Sequence, residues 1–470
     1  MSGRNELLEA DYVIVGAGAM GMAFADELLS AGDADMIIVD RRHRPGGHWN
    51  DAYPFIRLHG ATSLYGVNSR PLGAGPRDRI GLNAGLDPLP SGAEICAYYD
   101  EVMRHRLLPS GRVIYLPMSD YADNGTVTSR VSGRRLRVKA RRALVDGTYT
   151  DTKLPSTHRA SFEIAARMTC IAPNALPAIT TPPAGYTVIG SGKTAMDGII
   201  WLLEQGVDAD CIRWIRPRDC WVIDRISRQF SPDAIGHTMH CIASEFECAA
   251  SSRSFAELFD RLEAASALMR IDTQVVPTMF RCATLSRAEL AELRSVSNVV
   301  RRGHVLRIEP GEIVLKYGTV PTTRDTVHVD CTATGLSGRP ARPVFEEGLI
   351  VLQMVRTCQP CFSAAMIARI ETLFADVREK NEMSAPVPPP YEDKDWARML
   401  VINAANQLKW TRNRELACWM EQSRLDGTAG VVPASLEAEA EFQSARQRIR
   451  ESIGPAILNL KNLLAVPEEV

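Results

Sequence analysis

The sequence predicts an α/β fold with two parallel sheets, each opened by a glycine-rich turn, and a mostly helical C-terminal region. Three observations carry this. Two β-branched runs each lead into a glycine turn and then a helix-like segment; each helix is followed by another short apolar strand; and the chain ends in polar, helix-patterned sequence. At 470 residues the chain is too long for one compact core, so several domains are expected.

The first unit reads Tyr12-Val13-Ile14-Val15-Gly16-Ala17-Gly18-Ala19-Met20-Gly21, then a helix-like run from Met22 to Ala31 that stops at Gly32. A second strand, Met36-Ile37-Ile38-Val39, ends on Asp40. This is a βαβ unit of the Rossmann type. Gly16 permits the tight turn, Gly18 lets backbone approach a pyrophosphate, and Gly21 lets the helix pack on the strand. The helix N-terminus offers free N–H groups to phosphate, and Asp40 stands where a carboxylate can accept ribose hydroxyls. Residues 44–120, rich in Gly, Pro, Asn and Tyr, suit long loops over a ligand. In residues 133–142, Arg135, Arg137, Lys139 and Arg141 alternate at period two, which reads as a strand with one solvated face rather than a nucleic-acid surface.

The second unit reads Tyr186-Thr187-Val188-Ile189-Gly190-Ser191-Gly192-Lys193-Thr194-Ala195, with a helix-like run from Met196 to Glu204 and a stop at Gly206. Lys193-Thr194 does not make a P-loop, because Thr187 stands where that motif needs glycine. Gly190, Gly192, Lys193 and Ala195 are therefore candidates for a second dinucleotide site, with Asp197 settling the loop. The next strand, Cys211 to Ile215, ends on Arg216-Pro217-Arg218 where the first unit ended on Asp40. A guanidinium there can grip a 2′-phosphate, which argues for NADPH over NADH and places more weight on Arg216 than on Arg218. Residues 231–296 read as mostly helical, short strands follow from His304 to Asp330, a helix-like segment spans 363–381, and the proline-rich stretch 385–390 reads as a linker.

After Asp40 come Gly46-Gly47-His48-Trp49 and Tyr53-Pro54. Here the chain resembles the flavin-containing monooxygenases and the wider two-dinucleotide flavoproteins. The resemblance implies FAD in the first site, with Gly47, His48 and Trp49 near the flavin and Arg57 and His59 on the loop beneath it. Leu64-Tyr65-Gly66-Val67-Asn68-Ser69-Arg70 is similar to the family segment whose asparagine sits beside the reactive flavin face. In that place Asn68 would hydrogen-bond a flavin C4a-hydroperoxide; as a residue after Gly66 it reads equally as a turn former. Asp330 with Ala333-Thr334-Gly335 resembles the motif by which such chains re-enter the FAD domain, and Cys170 to Pro177 is a cruder echo at the first crossing. Thr334 and Gly335 thereby join the cofactor candidates, and Phe362 to Met366 resembles a late helix start aimed at the flavin. The implied division is an FAD-binding domain at 1–178 and 327–382, an NADPH-binding domain inserted at 179–326, and a helical region at 383–470. The family's Phe-x-Gly-x-x-x-His stretch is missing, with Ala178 to Ala184 in its place.

The resemblance implies an FAD- and NADPH-dependent monooxygenase that transfers one oxygen atom from O2 to a small organic substrate, with Asn68 and His59 as candidate catalytic residues. Other readings are an NADPH oxidase, a dithiol-disulfide enzyme using Cys358 and Cys361 of Cys358-Gln359-Pro360-Cys361, and a nucleotide sensor without chemistry. A net charge of −2 gives no general attraction to nucleic acid or anionic membrane. No run reaches the roughly 18 apolar residues of a bilayer span. The start lacks an apolar signal core, and eleven scattered cysteines suit reduced thiols, so a cytoplasmic protein is expected. The nine histidines show no metal spacing, and His237 and His240 read as an ordinary helix face. The oligomeric state is left open, a homodimer among the options.

Overall fold

A computed structural model describes residues 7–466 apart from positions 74, 76 and 337. Strand β1 (Leu7–Val15) begins the first sheet because its second half, Tyr12-Val13-Ile14-Val15, is β-branched and almost wholly buried. Helix α1 (Ala19–Ala31) follows, then β2 (Met36–Val39), buried at every position as a parallel strand covered on both faces should be. The parallel core runs Leu349–Val351, Arg135–Asp146, β1, β2, Val113–Leu116, with an antiparallel hairpin, Ser119–Ala122 and Thr126–Ser129, appended to Arg135–Asp146. In Arg135–Asp146 the alternating basic residues face solvent, where Arg141 pairs with Asp11 and Asp35 and Lys139 with Glu9.

The second sheet is fully parallel: Thr169–Ile171, Thr326–Asp330, Gly185–Ile189, Ile212–Ile215, Val299–Val300. Two of these strands depart from the expected domain limits of 178 and 326. Thr169–Ile171 and nearly all of Thr326–Asp330 fall within the limits expected for the first domain, yet both pair in the second sheet, because Thr326–Asp330 fills the position between Thr169–Ile171 and Gly185–Ile189. The region 231–296 is also less helical than expected. After helices Ile235–Ser251 and Phe255–Ala264 it supplies the strands Leu268–Met269 and Met279–Leu285, which flank Cys220–Asp224 in a three-stranded sheet. Within the expected loops of 44–120 stands the helix Gly92–Val102, started by a capping box between Ser91 and Glu94.

The C-terminal region brackets both units. Helix Asp395–Arg412 and helix Arg414–Gln422 set Trp410 and Trp419 against Phe362, at ring separations of 5.8 and 5.6 Å, in the core of the first unit. Helix Leu436–Ala465 lies along Ile235–Ser251 of the second, where Asn459 donates to the carbonyls of Ala249 and Ser252. No helix among the described residues is long and apolar enough to cross a membrane.

The tightest contact in the first unit lies between α1 and its own turn. A β-carbon on Gly21 would sit 2.0 Å from the Gly16 carbonyl oxygen. Gly21→Ala is therefore expected to destabilise the chain by about 3 kcal/mol, at the upper end of ordinary overpacking; an unchanged midpoint in urea denaturation would contradict it.

Candidate functional site

Both glycine turns open onto one cavity of about 2420 Å³ that runs between the two sheets. At the first turn Gly16 and Gly18 line it, and α1 begins with no side-chain cap on its N-terminal N–H groups. At the second, Gly190, Gly192 and Lys193 line it, and helix Lys193–Glu204 likewise lacks a side-chain cap. Helix Pro360–Leu373 also begins uncapped at the cavity, where Gln359 and Pro360 form the wall. By contrast, the helices that start after Ser91, Ser254, Ser286 and Asn413 are capped by those side chains. Uncapped N–H groups and the helix dipole make such ends receptive to anionic groups. Gly21 and Ala195 lie beneath the two turns rather than in the wall, where they let each helix approach its strand.

The segment after β2 docks directly on the first turn. Gly46 N–H donates to the Ala17 carbonyl at 2.8 Å, and a β-carbon on Gly47, whose φ is +58°, would fall 2.8 Å from Gly18 Cα. His48 stacks on Trp49 at 5.1 Å, and the Trp49 indole donates to the Tyr65 hydroxyl at 2.6 Å. Asp40 lines the cavity and accepts the N–H of Ala17 (2.6 Å) and of Arg42 (2.7 Å). Its carboxylate thus holds the turn, and each oxygen keeps a lone pair for a ribose hydroxyl. Burial raises its pKa, opposed by those two N–H bonds.

Arg57 and His59 are both in the wall. Arg57 donates to the Leu89 carbonyl at 3.0 Å, and His59 Nδ1 shares a 2.8 Å hydrogen bond with Thr284 Oγ1 from the second unit. Burial lowers the His59 pKa to about 3 and that of His48 to about 4, with nearby cations adding to both, so each ring is neutral at pH 7. Across the same junction Tyr53 donates to Asp197 at 2.6 Å, and Asp197 is ion-paired with Lys193. Asp197 therefore settles the second turn, as expected. Thr334 and Gly335 reach the cavity on the return crossing, and Arg281 donates to the Thr334 carbonyl at 2.7 Å.

Three expectations are corrected. Asn68 does not line the cavity. It sits at the two-residue tip of a hairpin between Gly66–Val67 and Arg70–Pro71, where its amide donates to Glu27 (3.2 Å) and accepts from Ser423 (3.0 Å). The cause lies in α1: Asp26 and Glu27 are buried carboxylates that need donors, and the hairpin tip and the Trp419 indole (2.7 Å to Glu27) supply them. Asn68 is a turn former committed elsewhere.

Arg216 is the second. It is 1% exposed, stacked over Trp214 at 4.4 Å and paired with Asp219 at 2.9 Å, and burial brings its pKa down to about 10. It cannot present its guanidinium to a nucleotide. Arg218 takes the cavity position instead, its backbone N–H beside Ser191 of the second turn and its side chain over Tyr391 at 5.2 Å, where it is ion-paired with Glu392 at 2.5 Å and donates to Thr278; Arg281 covers the same ring at 5.2 Å. The chain alternation that buried Arg216 with Trp214 was not readable from two arginines spaced by a proline.

The third is the pairing of Cys358 with Cys361. Cys361 is fully buried, accepts the Gly66 N–H at 3.3 Å, and burial pushes its thiol up to about 11. Cys358 instead forms a disulfide with Cys282, so the expectation of reduced thiols throughout also fails at this pair. Sequence reasoning missed Cys282, Arg281 and Tyr391 because they lie on elements far apart in the chain. The C-terminal region adds Trp396, Met399 and Asn403 to the wall.

Two stability measurements follow from this geometry. Arg216→Leu leaves Asp219 buried with only Arg301 (2.8 Å) and is expected to cost about 3 kcal/mol, whereas Arg218→Ala should cost under about 1 kcal/mol. Equal losses in denaturant titrations would contradict this. For His48 the folded state stays neutral while the unfolded chain protonates near pH 6.5, so its contribution is complete above that pH and is lost as pH falls toward 4. His48→Gln should flatten the stability profile in that window; an unchanged slope would refute the assignment.

The family model described as an NAD(P)-binding Rossmann-like domain matches residues 14–67, which span the first turn, Asp40 and the docked glycine segment. Among curated proteins, the uncharacterized protein Rv2000 of Mycobacterium tuberculosis is 43% identical over 451 residues, covering 96% of this chain and 82% of its own length. Among solved structures, a flavin-containing monooxygenase from Stenotrophomonas maltophilia aligns at 16% identity over 79% of this chain and 98% of that one, with a TM-score of 0.41. Cyclohexanone monooxygenase from Rhodococcus sp. Phi1 bound to NADP+ aligns at 12% identity over 95% and 98%, with a TM-score of 0.49. The chain belongs to the same family as the mycobacterial protein, and its two glycine-turn units stand on two separate sheets, as its sequence motifs implied.

Proposed function

We propose that this chain is an FAD- and NADPH-dependent monooxygenase acting on a small organic substrate with O2, and that it works in the cytoplasm. The observation that carries the reading is the opening of two uncapped glycine-turn helices onto one continuous cavity, which suits two dinucleotides meeting within it.

The residues present fit both cofactors. At the first turn, the uncapped start of α1 after Gly18 would offer backbone N–H groups to a pyrophosphate, Asp40 retains acceptors for a ribose, and His48 and Trp49 wall the adjoining space. Thr357 Oγ1 and Gln359 Oε1, buried beside the N-terminus of Pro360–Leu373, find no hydrogen-bond partner among the described residues and suit the polar edge of a flavin. At the second turn, Gly190, Gly192 and Lys193 would hold the NADPH pyrophosphate, and Arg281, with Arg218 on displacement of its partner Glu392, would take the 2′-phosphate beside Tyr391. Bound FAD would supply the electron and oxygen chemistry that side chains lack. The chain contributes position and exclusion of water. His59, held neutral and hydrogen-bonded to Thr284, places an uncharged imidazole at the junction of the two units, and the Tyr53–Asp197–Lys193 chain fixes the second turn against the first.

The commitment of Asn68 away from the cavity favours a second reading, an NADPH oxidase that releases hydrogen peroxide. The purified chain should be yellow, and NADPH oxidation under 18O2 with a panel of ketones, sulfides and amines should give one labelled product per NADPH. Peroxide in equal yield to NADPH, without labelled product, selects the oxidase; colourless protein that takes up no FAD refutes both. Arg218→Ala should raise KM for NADPH about 10- to 100-fold and leave KM for NADH unchanged, as expected for loss of a charged contact to the 2′-phosphate. The same change for both nucleotides would remove Arg218 from this role.

A further inference from the structure

We infer that Cys282 and Cys358 form a reversible redox site in the cavity wall, one that exchanges with low-molecular-weight disulfides and thiols and couples the two units of the chain. The two residues are joined by a disulfide with Cα atoms 6.6 Å apart, within the span that an ordinary bridge covers. They come from different parts of the fold. Cys282 lies on the strand Met279–Leu285, beside Cys220–Asp224 and downstream of the second glycine turn. Cys358 lies in the loop between Leu349–Val351 of the first sheet and helix Pro360–Leu373. The bond therefore ties the second unit's wall strand to the helix that begins at the cavity, across 76 positions of sequence.

Access combined with position distinguishes this pair: Cys211 and Cys418 are exposed and Cys170 and Cys248 half-buried, but none of these lines the cavity, and Cys220 and Cys331, which do, are buried. Cys282 and Cys358 are half-buried and both line the cavity, so a small thiol or disulfide can reach them from solvent. Cys361, three positions on, is sealed in the core and held by the Gly66 N–H, which leaves it unable to act as the exchanging partner. Cys282 and Cys358 also both occupy the left-handed backbone region, at φ +55° and +49°, which residues with a β-carbon seldom adopt. Closing the bond holds the wall strand and the loop before helix Pro360–Leu373 together.

The chemistry balances as ordinary exchange. In the reduced chain, the thiolate of one cysteine attacks a small disulfide RSSR, forming a mixed disulfide and releasing RS⁻. The thiolate of the second cysteine then attacks the mixed disulfide at the protein sulfur and releases a second RS⁻. The protein dithiol loses two electrons and two protons, RSSR gains them, and two RSH result. An excess of small thiol drives the same steps backward. Neither direction requires a bound flavin or nucleotide, so the site stands or falls independently of the proposed monooxygenase activity.

The test uses the purified full-length chain, incubated under native conditions with oxidised glutathione or with dithiothreitol, alkylated with N-ethylmaleimide, digested and analysed by mass spectrometry. The expected result is a Cys282–Cys358 cross-linked peptide after oxidised glutathione, alkylation of both residues after dithiothreitol, and no alkylation of Cys361 in either sample. Reduced Cys282→Ser protein should accumulate a glutathione adduct on Cys358. The oxidised chain should melt several degrees above the reduced chain, as a long-range cross-link predicts, and the difference should vanish in Cys282→Ser. A bond that resists dithiothreitol in the native chain marks a fixed structural bridge and overturns the proposal. Alkylation of both residues after oxidant, or a link from either to Cys361, overturns it as well. These readings come from the unsubstituted chain and hold even if the variants fail to fold.

Discussion

The first unit rests on close approaches between glycines. Gly18 and Gly47 meet backbone to backbone, and Gly21 sits against the Gly16 carbonyl with no room for a β-carbon. These contacts bring three segments together: the turn after β1, the start of α1, and the loop that carries His48 and Trp49. A methyl group at either Gly21 or Gly47 would separate them. The uncapped end of α1, the turn-holding Asp40 and the stacked His48–Trp49 pair all take their positions from that approach. The first binding surface is therefore a consequence of missing side chains.

The second unit repeats the turn and is then tied to the first by polar contacts of a different kind. Tyr53 reaches Asp197, His59 reaches Thr284, and the C-terminal helices press on both units at once. These contacts lie around the cavity rather than behind it. Behind the cavity wall the buried carboxylates find partners: Glu27 with Asn68 and Trp419, Asp219 with Arg216 and Arg301. The result is a large chamber of mixed apolar and polar lining, with the neutral rings of His48 and His59 in its wall. Free N–H groups at three helix ends supply its attraction for anions.

Features encoded by adjacent residues were legible in the sequence. Glycine turns, the acid that ends the next strand and the solvated basic strand each depend on neighbours within a few positions, and the helix Gly92–Val102 carried a readable capping box that composition obscured. Other features were not legible because partners far along the chain decide them. Whether Arg216 or Arg218 faces the cavity depends on Trp214 and Asp219 claiming the first guanidinium. The fate of Asn68 depends on two carboxylates buried in α1 and on Ser423 from the far end of the chain. Cys358 stands three positions from Cys361 and bonds to Cys282 instead, since one helix turn buries Cys361 in the core while the preceding loop reaches the opposite wall.

By itself, then, the sequence determined the two βαβ units and the positions of their phosphate-facing turns, because those rest on backbone sterics that glycine alone satisfies. Tertiary structure decided where the chain crosses between the sheets, which arginine faces the cavity, where Asn68 points and which cysteines meet. The reason is physical: a charged or hydrogen-bonding side chain goes to whichever buried partner most needs it, and only the assembled fold brings those partners within reach.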